Sequence, residues 1–152
     1  ISKSYGVQGI RLGILCSSYT DIISRMKKMV SIWNINSFAE FFMQIFTKYE
    51  DEYLKACDKF ITERNDFEQK LREISFLRVM PSQANYFLCE ILPPYNANAL
   101  VLKMLKQYNI LTRDCSTKGG FDGKQYMRIA VRSHADNARL IAAYKEIENE
   151  NK

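Results

Sequence analysis

The hydrophobic period of the sequence changes near residue 75, and this change restricts the chain to a mixed α/β fold. Between residues 47 and 74 the apolar side chains recur at helical spacing behind a capping box formed by Thr47 and Glu50. From residue 76 onward, short runs of strand-forming residues bounded by proline or glycine alternate with two helical segments. The predicted order is β-β-α-β-β-α, which is typical of a two-layer α/β sandwich.

The boundaries of these elements follow from local signals. We predict strands at residues 76–80, 85–92, 110–113 and 126–131. A helix is expected from Asn96 or Asn98 to Tyr108, and another from the pair Ser133 and Asp136. The helix at residues 47–74 has one charged face, and we expect it to connect two structural units.

The first 46 residues carry a different set of elements. The apolar run at residues 11–17 predicts a short strand, and residues 20–29 have helical apolar spacing. Ser37 and Glu40 form a capping box that predicts a helix start, with an apolar face of four phenylalanines and Ile45.

Composition argues against several classes of function. The net charge is +5, but in residues 48–73 the basic side chains alternate with acidic ones, as on a solvated helix face, which argues against nucleic-acid binding. The sequence has no run of ~18 apolar residues, so we expect no membrane span. It also shows no signal-peptide pattern, and its start at Ile1 suggests a fragment of a longer protein.

The cysteines are widely spaced and His134 is the single histidine, so we expect no metal site. The four thiols, at residues 16, 57, 89 and 115, are expected to be reduced and mostly buried in a cytoplasmic protein.

The first residues combine a serine, a lysine and an arginine with three glycines: Ser2, Lys3 and Arg11, with Gly6, Gly9 and Gly13. A lysine amine attacks a carbonyl only when it is neutral, and an arginine offers a phosphate two parallel donors. The glycines would let the backbone turn tightly between the lysine and the arginine. The alternative is a frayed terminal lysine and a surface arginine, since this spacing alone is common.

The run S-K-x-x-G-x-x-G-x-R-x-G resembles the cofactor-lysine segment of fold-type I pyridoxal 5'-phosphate (PLP) enzymes. More narrowly, it resembles the family of histidinol-phosphate aminotransferase and threonine-phosphate decarboxylase. The resemblance implies that Lys3 forms a Schiff base with the cofactor aldehyde. It also implies that Ser2 and Arg11 bind the cofactor phosphate.

A second pair of segments resembles the C-terminal signature of the same family: Arg113-Asp-Cys115 and Arg128-Ile-Ala-Val-Arg132. The resemblance implies that Arg128 binds the substrate α-carboxylate or its equivalent and that Arg113 contacts a second anionic group. The alternative is a pair of surface or salt-bridged arginines. Two further segments, residues 33–37 and 80–87, also resemble the family, so the resemblance covers almost the whole chain.

One departure leaves the substrate open. The histidinol-phosphate branch carries R-I-T-V-G where this chain has R-I-A-V-R, which is closer to members similar to threonine-phosphate decarboxylase. Arg132 is interpreted either as a phosphate contact or as an exposed arginine at a helix start. Trp33 is expected in a core or at a dimer interface, and His134 at the surface.

The resemblance implies an organisation and a function. Residues 1–46 would end a large PLP-binding domain, and residues 47–152 would form a linking helix and the C-terminal small domain. The full-length protein would be a homodimeric PLP-dependent aminotransferase acting on an amino acid or a phosphorylated amine and a 2-oxo acid. The alternatives are a PLP-dependent decarboxylase of a phosphorylated amino acid, or a non-catalytic α/β module. The fragment alone is expected to be inactive.

Overall fold

The computed structural model describes residues 1 and 4–150, and these residues form two compact units, Ile1–Cys57 and Asp58–Lys152. We call them the N-terminal and the C-terminal unit. The division between them falls inside one long helix, α3 (Glu50–Arg72). The assignment of residues 1–46 to a large domain and 47–152 to a small one stays a prediction.

Helices and irregular segments make up the described part of the N-terminal unit. A 3-10 turn at Gln8–Ile10 is followed by α1 (Thr20–Met29), α2 (Ser37–Phe46) and a second 3-10 turn at Thr47–Tyr49. The bounds predicted for α1 are confirmed. No strand forms at residues 11–17, so that prediction is wrong. A strand needs a hydrogen-bonding partner, and the described part of this unit contains no second strand.

The capping predictions for α2 and α3 need correction. The residue that caps α2 is Asn36, whose Oδ1 accepts a hydrogen bond from the Ala39 amide at 3.0 Å. Asn36 takes the place predicted for Ser37 because an asparagine side chain caps at least as well as a serine. Thr47 lies in the 3-10 turn, and α3 begins at Glu50.

Four half-buried aromatic rings pack together in the N-terminal unit, those of Tyr5, Phe42, Phe46 and Tyr53. The Tyr5 ring centroid lies 4.8 Å from those of both Phe46 and Tyr53. The Tyr53 hydroxyl donates to the Ser4 carbonyl at 3.0 Å, so the chain beside Tyr5 is fixed by a hydrogen bond as well as by packing.

Much of the apolar surface of this unit is exposed. Phe38 and Phe41, which were predicted to lie on the apolar face of α2, are both exposed. Trp33 is 90% exposed, so the prediction of a core position for it is wrong, whereas a dimer-interface position stays a prediction.

The C-terminal unit is built on a four-stranded antiparallel sheet in the order β1-β2-β4-β3. Its strands are β1 (Leu77–Val79), β2 (Tyr86–Ile91), β3 (Arg113–Asp114) and β4 (Tyr126–Ala130). The helices α4 (Ala97–Tyr108) and α5 (His134–Glu150) follow β2 and β4 respectively. The predicted β-β-α-β-β-α order is confirmed, although β3 begins at the last residue of the strand predicted at 110–113.

One face of this sheet is buried against the helices. Alternate residues of β2 and β4 contribute to the core, and α3, α4 and α5 supply the opposing side chains. The largest completely buried side chains include Phe67, Phe87, Met127, Ile129 and Tyr144. Burial also raises the pKa of the Cys89 thiol to about 12, so Cys89 is a core residue and not a nucleophile at neutral pH. The architecture is therefore a two-layer α/β sandwich.

The two helices of the sandwich have well-defined ends. Asn96, rather than Asn98, caps α4 by accepting from the Ala99 amide at 3.1 Å. At the other end of α4, Asn109 adopts a left-handed conformation with φ 55° and closes the last turn. Ser133 Oγ accepts from the Asp136 amide at 3.2 Å, which confirms the predicted start of α5. None of the described helices combines the length and the apolar character that a membrane crossing requires.

A buried asparagine fixes the start of α5. The Asn137 side chain is 4% exposed, accepts from the Arg132 amide at 3.0 Å and donates to the Arg132 carbonyl at 3.1 Å. Its amide nitrogen also donates to Glu63 of α3 at 2.8 Å. One side chain therefore connects the end of the β4 segment, α5 and α3.

A second polar cluster fixes the backbone directly after β3. Ser116 donates to Asp114 Oδ1 through its amide at 2.8 Å and its hydroxyl at 2.5 Å, and Asn98 donates to Oδ2 at 3.3 Å. Burial acts to raise the pKa of the Asp114 carboxyl, but these three donors outweigh it, and the pKa is lowered. Both oxygens of the carboxylate thus accept hydrogen bonds from Ser116 or Asn98.

We expect Asn137→Ala to weaken the attachment of α5. The substitution leaves the Arg132 amide and carbonyl without a partner and removes one of the two partners of Glu63, so the opening free energy of α5 should fall by about 2 kcal/mol. Amide hydrogen exchange of α5 in the full-length protein measures this change. Asn149→Ala, an exposed position on the same helix, is the control and should change it by less than about 0.5 kcal/mol. Equal effects of the two substitutions would contradict the role assigned to Asn137.

We expect Ser116→Ala to raise the pKa of Asp114 toward its ordinary value, because one of the donors that stabilise the carboxylate is lost. A depressed carboxyl pKa stabilises the fold above the unfolded value of about 3.9, and this stabilisation disappears as pH falls through the folded pKa. Loss of the hydroxyl should therefore lower stability at neutral pH, and the difference should vanish in acid. A carboxyl NMR titration measures the shift.

Ser82→Ala is the control for this titration. The Ser82 hydroxyl bonds to the backbone of Tyr86 and Ala84 and not to a carboxylate, so its removal should leave the Asp114 titration unchanged. An unchanged Asp114 pKa in Ser116→Ala would show that the hydroxyl does not stabilise the carboxylate.

Candidate active site

The N-terminal group of predicted site residues is described in part. Ser2 and Lys3 lie outside the described residues. Arg11 directly follows the 3-10 turn at Gln8–Ile10, and its φ of 56° is left-handed. Of the three glycines predicted to turn the backbone, only Gly6 has a positive φ, so Arg11 itself supplies the second left-handed position.

Asn36 fixes the backbone next to Arg11. Its side-chain amide donates to the Ile10 carbonyl at 2.8 Å, while its Oδ1 caps α2. The turn that carries Arg11 is therefore tied to the start of a helix. Sequence reasoning treated Asn36 only as part of a resembling segment; the available signal was the preference of asparagine for the position before a helix.

Arg11 is free to bind an anion. The side chain is exposed and forms no ion pair among the described residues. A left-handed φ at a residue other than glycine is uncommon and costs conformational energy, and such strain is concentrated at functional positions. The described part of this group therefore fits a phosphate-bearing cofactor, and the roles of Ser2 and Lys3 stay predictions.

The open face of the sheet in the C-terminal unit carries the other two predicted site residues. Arg128 lies at the centre of β4, directly opposite Arg113 of β3 on one side and Leu88 of β2 on the other. Residues directly opposite in an antiparallel pair have Cβ atoms about 5 Å apart, so the structure brings the two arginines together on one face. Both side chains are exposed.

Neither Arg113 nor Arg128 forms an ion pair with a carboxylate among residues 1 and 4–150. The carboxylate that directly follows Arg113 in sequence, that of Asp114, accepts hydrogen bonds from Ser116 and Asn98. Like charges directly opposite each other destabilise a sheet, and an anion bound between them would remove the repulsion. The pair is therefore suited to an anionic group of a small molecule.

Two other arginines of this unit, Arg78 and Arg132, differ from this pair because each donates to a carboxylate. Arg78 forms a salt bridge with Glu90 on the same face of the sheet, and the Glu90 side chain is only 9% exposed. Arg132 Nε donates to Asp136 at 3.1 Å. This contact favours the interpretation of Arg132 as an exposed arginine at a helix start.

An aromatic ring lies beside Arg128. The guanidinium carbon of Arg128 is 5.2 Å from the centroid of the Tyr86 ring. Tyr86 belongs to the segment at residues 80–87 that resembles the family, and the resemblance implies no role for it. Its position beside Arg128 follows from the pairing of β2 with β4, which the sequence of either strand does not show.

His134 belongs to a polar cluster elsewhere in the C-terminal unit. Its side chain is 69% exposed, as predicted, and its Nδ1 lies 3.1 Å from Glu63. Asp66 completes a group whose possible ligand atoms lie within 4.8 Å of one another. However, Glu63 also accepts from Asn137 and Asp66 pairs with Lys70, so protein contacts account for the cluster.

Comparison with known proteins gives a consistent assignment. The family described as aminotransferase class I and II matches residues 1–143. The L-serine phosphate decarboxylase of Campylobacter jejuni is 34% identical over 149 residues, which cover 97% of this chain and 38% of that protein. The threonine-phosphate decarboxylase of Salmonella typhimurium is 30% identical over 150 residues, or 97% of this chain and 39% of that protein.

A solved structure shows the same fold. The histidinol-phosphate aminotransferase from Clostridium acetobutylicum aligns with a TM-score of 0.80 and 30% identity over 98% of this chain and 44% of that one. The chain thus spans less than half the length of each of these relatives. The match confirms the fold predicted from the sequence, a part of a fold-type I PLP enzyme with a small α/β domain. The chain belongs to the aminotransferase class I and II family, whose members use pyridoxal 5'-phosphate.

Proposed function

We propose that the full-length protein is a PLP-dependent aminotransferase that transfers an amino group between an amino acid, or a phosphorylated amine, and a 2-oxo acid. The observation that carries the proposal is the exposed pair Arg113 and Arg128, which has no carboxylate partner among the described residues. In a chain of this family, such a pair suits a small substrate with one or two anionic groups.

The two arginines have separate roles in this proposal. Arg128, at the centre of the face, binds the α-carboxylate or the equivalent group through two parallel N–H donors. Arg113, on the neighbouring strand, contacts a second anionic group such as a phosphate. Two fixed guanidinium groups would orient the bonds at the substrate Cα. A binding residue contributes to the rate of the reaction through this orientation.

The residues proposed for the cofactor lie at the start of the chain. Ser2 and Arg11 hold the phosphate of PLP, and Lys3 binds the cofactor covalently and later carries the substrate α-proton on its Nζ. When bound, PLP supplies a sink for the electrons released at the substrate Cα. The exposed guanidinium of Arg11 and the anchoring of its turn by Asn36 support this assignment.

A second candidate is a PLP-dependent decarboxylase of a phosphorylated amino acid. The names of the Campylobacter and Salmonella relatives favour it. The two reactions differ in the bond that breaks at Cα: a transferred amino group requires loss of the α-proton, whereas decarboxylation releases the carboxylate. In the decarboxylase, Arg113 and Arg128 would serve chiefly to hold the phosphate that is retained.

The proposal includes a homodimeric enzyme in the cytoplasm, which rests on the resemblance of the sequence to the family. The 152-residue chain alone is proposed to be inactive, because it spans less than half the length of the relatives described above.

We expect Lys3→Ala to abolish activity and the visible absorption of lysine-bound PLP in the full-length protein, because the substitution removes the covalent attachment and the proton carrier. Lys27→Ala, at an exposed position of α1, is the control and should preserve both. The assay records amino transfer to a 2-oxo acid and carbon dioxide release in parallel. Carbon dioxide release without transfer would replace the aminotransferase by the decarboxylase, and full activity of Lys3→Ala would refute both.

We expect the two arginine variants to separate the two anionic groups. For a full-length aminotransferase, Arg128→Gln should raise KM at least tenfold for an amino acid and for its phosphorylated counterpart, since both carry the α-carboxylate. Arg113→Gln should raise KM about tenfold for the phosphorylated compound only. Steady-state kinetics with both compounds measures the difference.

Arg132→Gln is the matched control for these variants, because Asp136 already occupies that guanidinium. It should leave both KM values within about twofold. If Arg113→Gln raised KM equally for both compounds, the proposal that Arg113 binds the second anionic group would be refuted.

A further inference from the structure

The environment of Arg128 is unusual because an aromatic ring, and not a carboxylate, holds its guanidinium. Tyr86 pairs with Ala130, so it lies diagonally across the sheet from Arg128 on the same face. Diagonal neighbours are within reach of aromatic and long side chains, and the Arg128 Cζ lies 5.2 Å from the ring centroid.

The side chains directly opposite Arg128 leave its donors free, and Glu90, its other diagonal neighbour on β2, pairs with Arg78. Leu88 and Arg113 lie directly opposite it on the adjacent strands, and neither side chain offers a hydrogen-bond acceptor. Ala130 has only a methyl group, which leaves room for the Tyr86 ring to lie toward Arg128. The ring is 38% exposed, so it forms part of the open face rather than of the core.

The type of contact matters for binding. When a guanidinium stacks on an aromatic ring, the contact uses the flat face of the guanidinium. The N–H donors lie in the plane of the guanidinium and stay available. A carboxylate does the opposite, because it occupies those donors, as Glu90 does at Arg78 and Asp136 does at Arg132. The Tyr86 ring can therefore fix the orientation of Arg128 without competing with an anionic ligand.

The ring also counteracts a repulsion. Arg113 is directly opposite Arg128, and the repulsion between their like charges tends to move the two guanidinium groups apart. Attraction to the electron-rich ring face holds Arg128 against that tendency.

We propose that Tyr86 is a positioning residue that orients the Arg128 guanidinium for the anionic group of the substrate. This inference rests on the proposed role of Arg128. It assigns the effect to the aromatic ring and not to the Tyr86 hydroxyl, since the contact is with the ring.

The test compares Tyr86→Phe, which keeps the ring, with Tyr86→Leu, which removes it, in the full-length PLP-bound enzyme. We expect Tyr86→Leu to raise KM for an α-carboxylate substrate roughly fivefold with kcat changed less than twofold. Tyr86→Phe should stay within twofold of the wild type in both constants. An unchanged visible spectrum of bound PLP would show that the variants fold and load with cofactor.

The same comparison in an Arg128→Gln background separates positioning from general structure. Once Arg128 is removed, Tyr86→Leu should add no further increase in KM, because the two residues act through one interaction. An unchanged KM in Tyr86→Leu, an equal loss in Tyr86→Phe, or additive effects in the double variant would each overturn the inference.

The result for Arg128→Gln alone shows which proposal has failed. If that variant loses affinity while Tyr86→Leu does not, only the role of Tyr86 is refuted. If Arg128→Gln leaves KM unchanged, the proposed role of Arg128 is refuted, and the role of Tyr86 with it.

Discussion

The antiparallel pairing of β2 with β4 determines both the core and the candidate substrate site of the C-terminal unit. Side chains along a strand alternate between the two faces, so burial of Met127 and Ile129 against the helices places Arg128 between them on the open face. A shift of one residue in this register would bury Arg128 and expose both apolar neighbours. The free energy of core packing therefore holds the arginine in place, although the arginine contributes nothing to that packing.

The polar contacts of the same unit divide into two groups with different consequences. Asn137 and Asp114 use their hydrogen-bonding capacity inside the protein, where they fix the start of α5 and the chain after β3. Arg113 and Arg128 keep their N–H donors available on the surface. The two groups lie on opposite faces of the sheet, because Asp114 pairs with the buried Met127 whereas Arg113 pairs with Arg128 on the open face.

The sequence predicted most elements that depend on the local hydrophobic period, although it misplaced the caps of α2 and α3, and it missed features that depend on a distant partner. The β-β-α-β-β-α order, α1 and the start of α5 follow from patterns within about ten residues, and the structure confirms them. The strand predicted at residues 11–17 was wrong because an apolar run forms a strand only where another strand pairs with it. The core position considered for Trp33 was wrong for a similar reason, since a large apolar side chain does not show in sequence what covers it, whereas the dimer-interface position stays a prediction.

The candidate site shows the same limit. Arg113 and Arg128 could be chosen by resemblance, but only the register of β3 with β4 places them opposite each other. The contacts of Tyr86 with Arg128 and of Asn36 with Ile10 could not be predicted, because each joins residues more than 20 positions apart.

The arginines of the two units differ in what their N–H donors contact, and Arg64 and Arg139 donate to backbone carbonyls. Arg72, Arg78 and Arg132 each face a carboxylate, which neutralises the charge and fills the N–H edge. Arg11, in the N-terminal unit, and Arg113 and Arg128, in the C-terminal unit, face none among the described residues. A side chain held by backbone anchoring or by an aromatic face keeps its donors available, so an anion that binds there need not displace a partner. Tyr86 beside Arg128 provides support through its ring, so its substitution should affect binding more than folding, whereas Asn36 also caps α2 and its substitution should affect both.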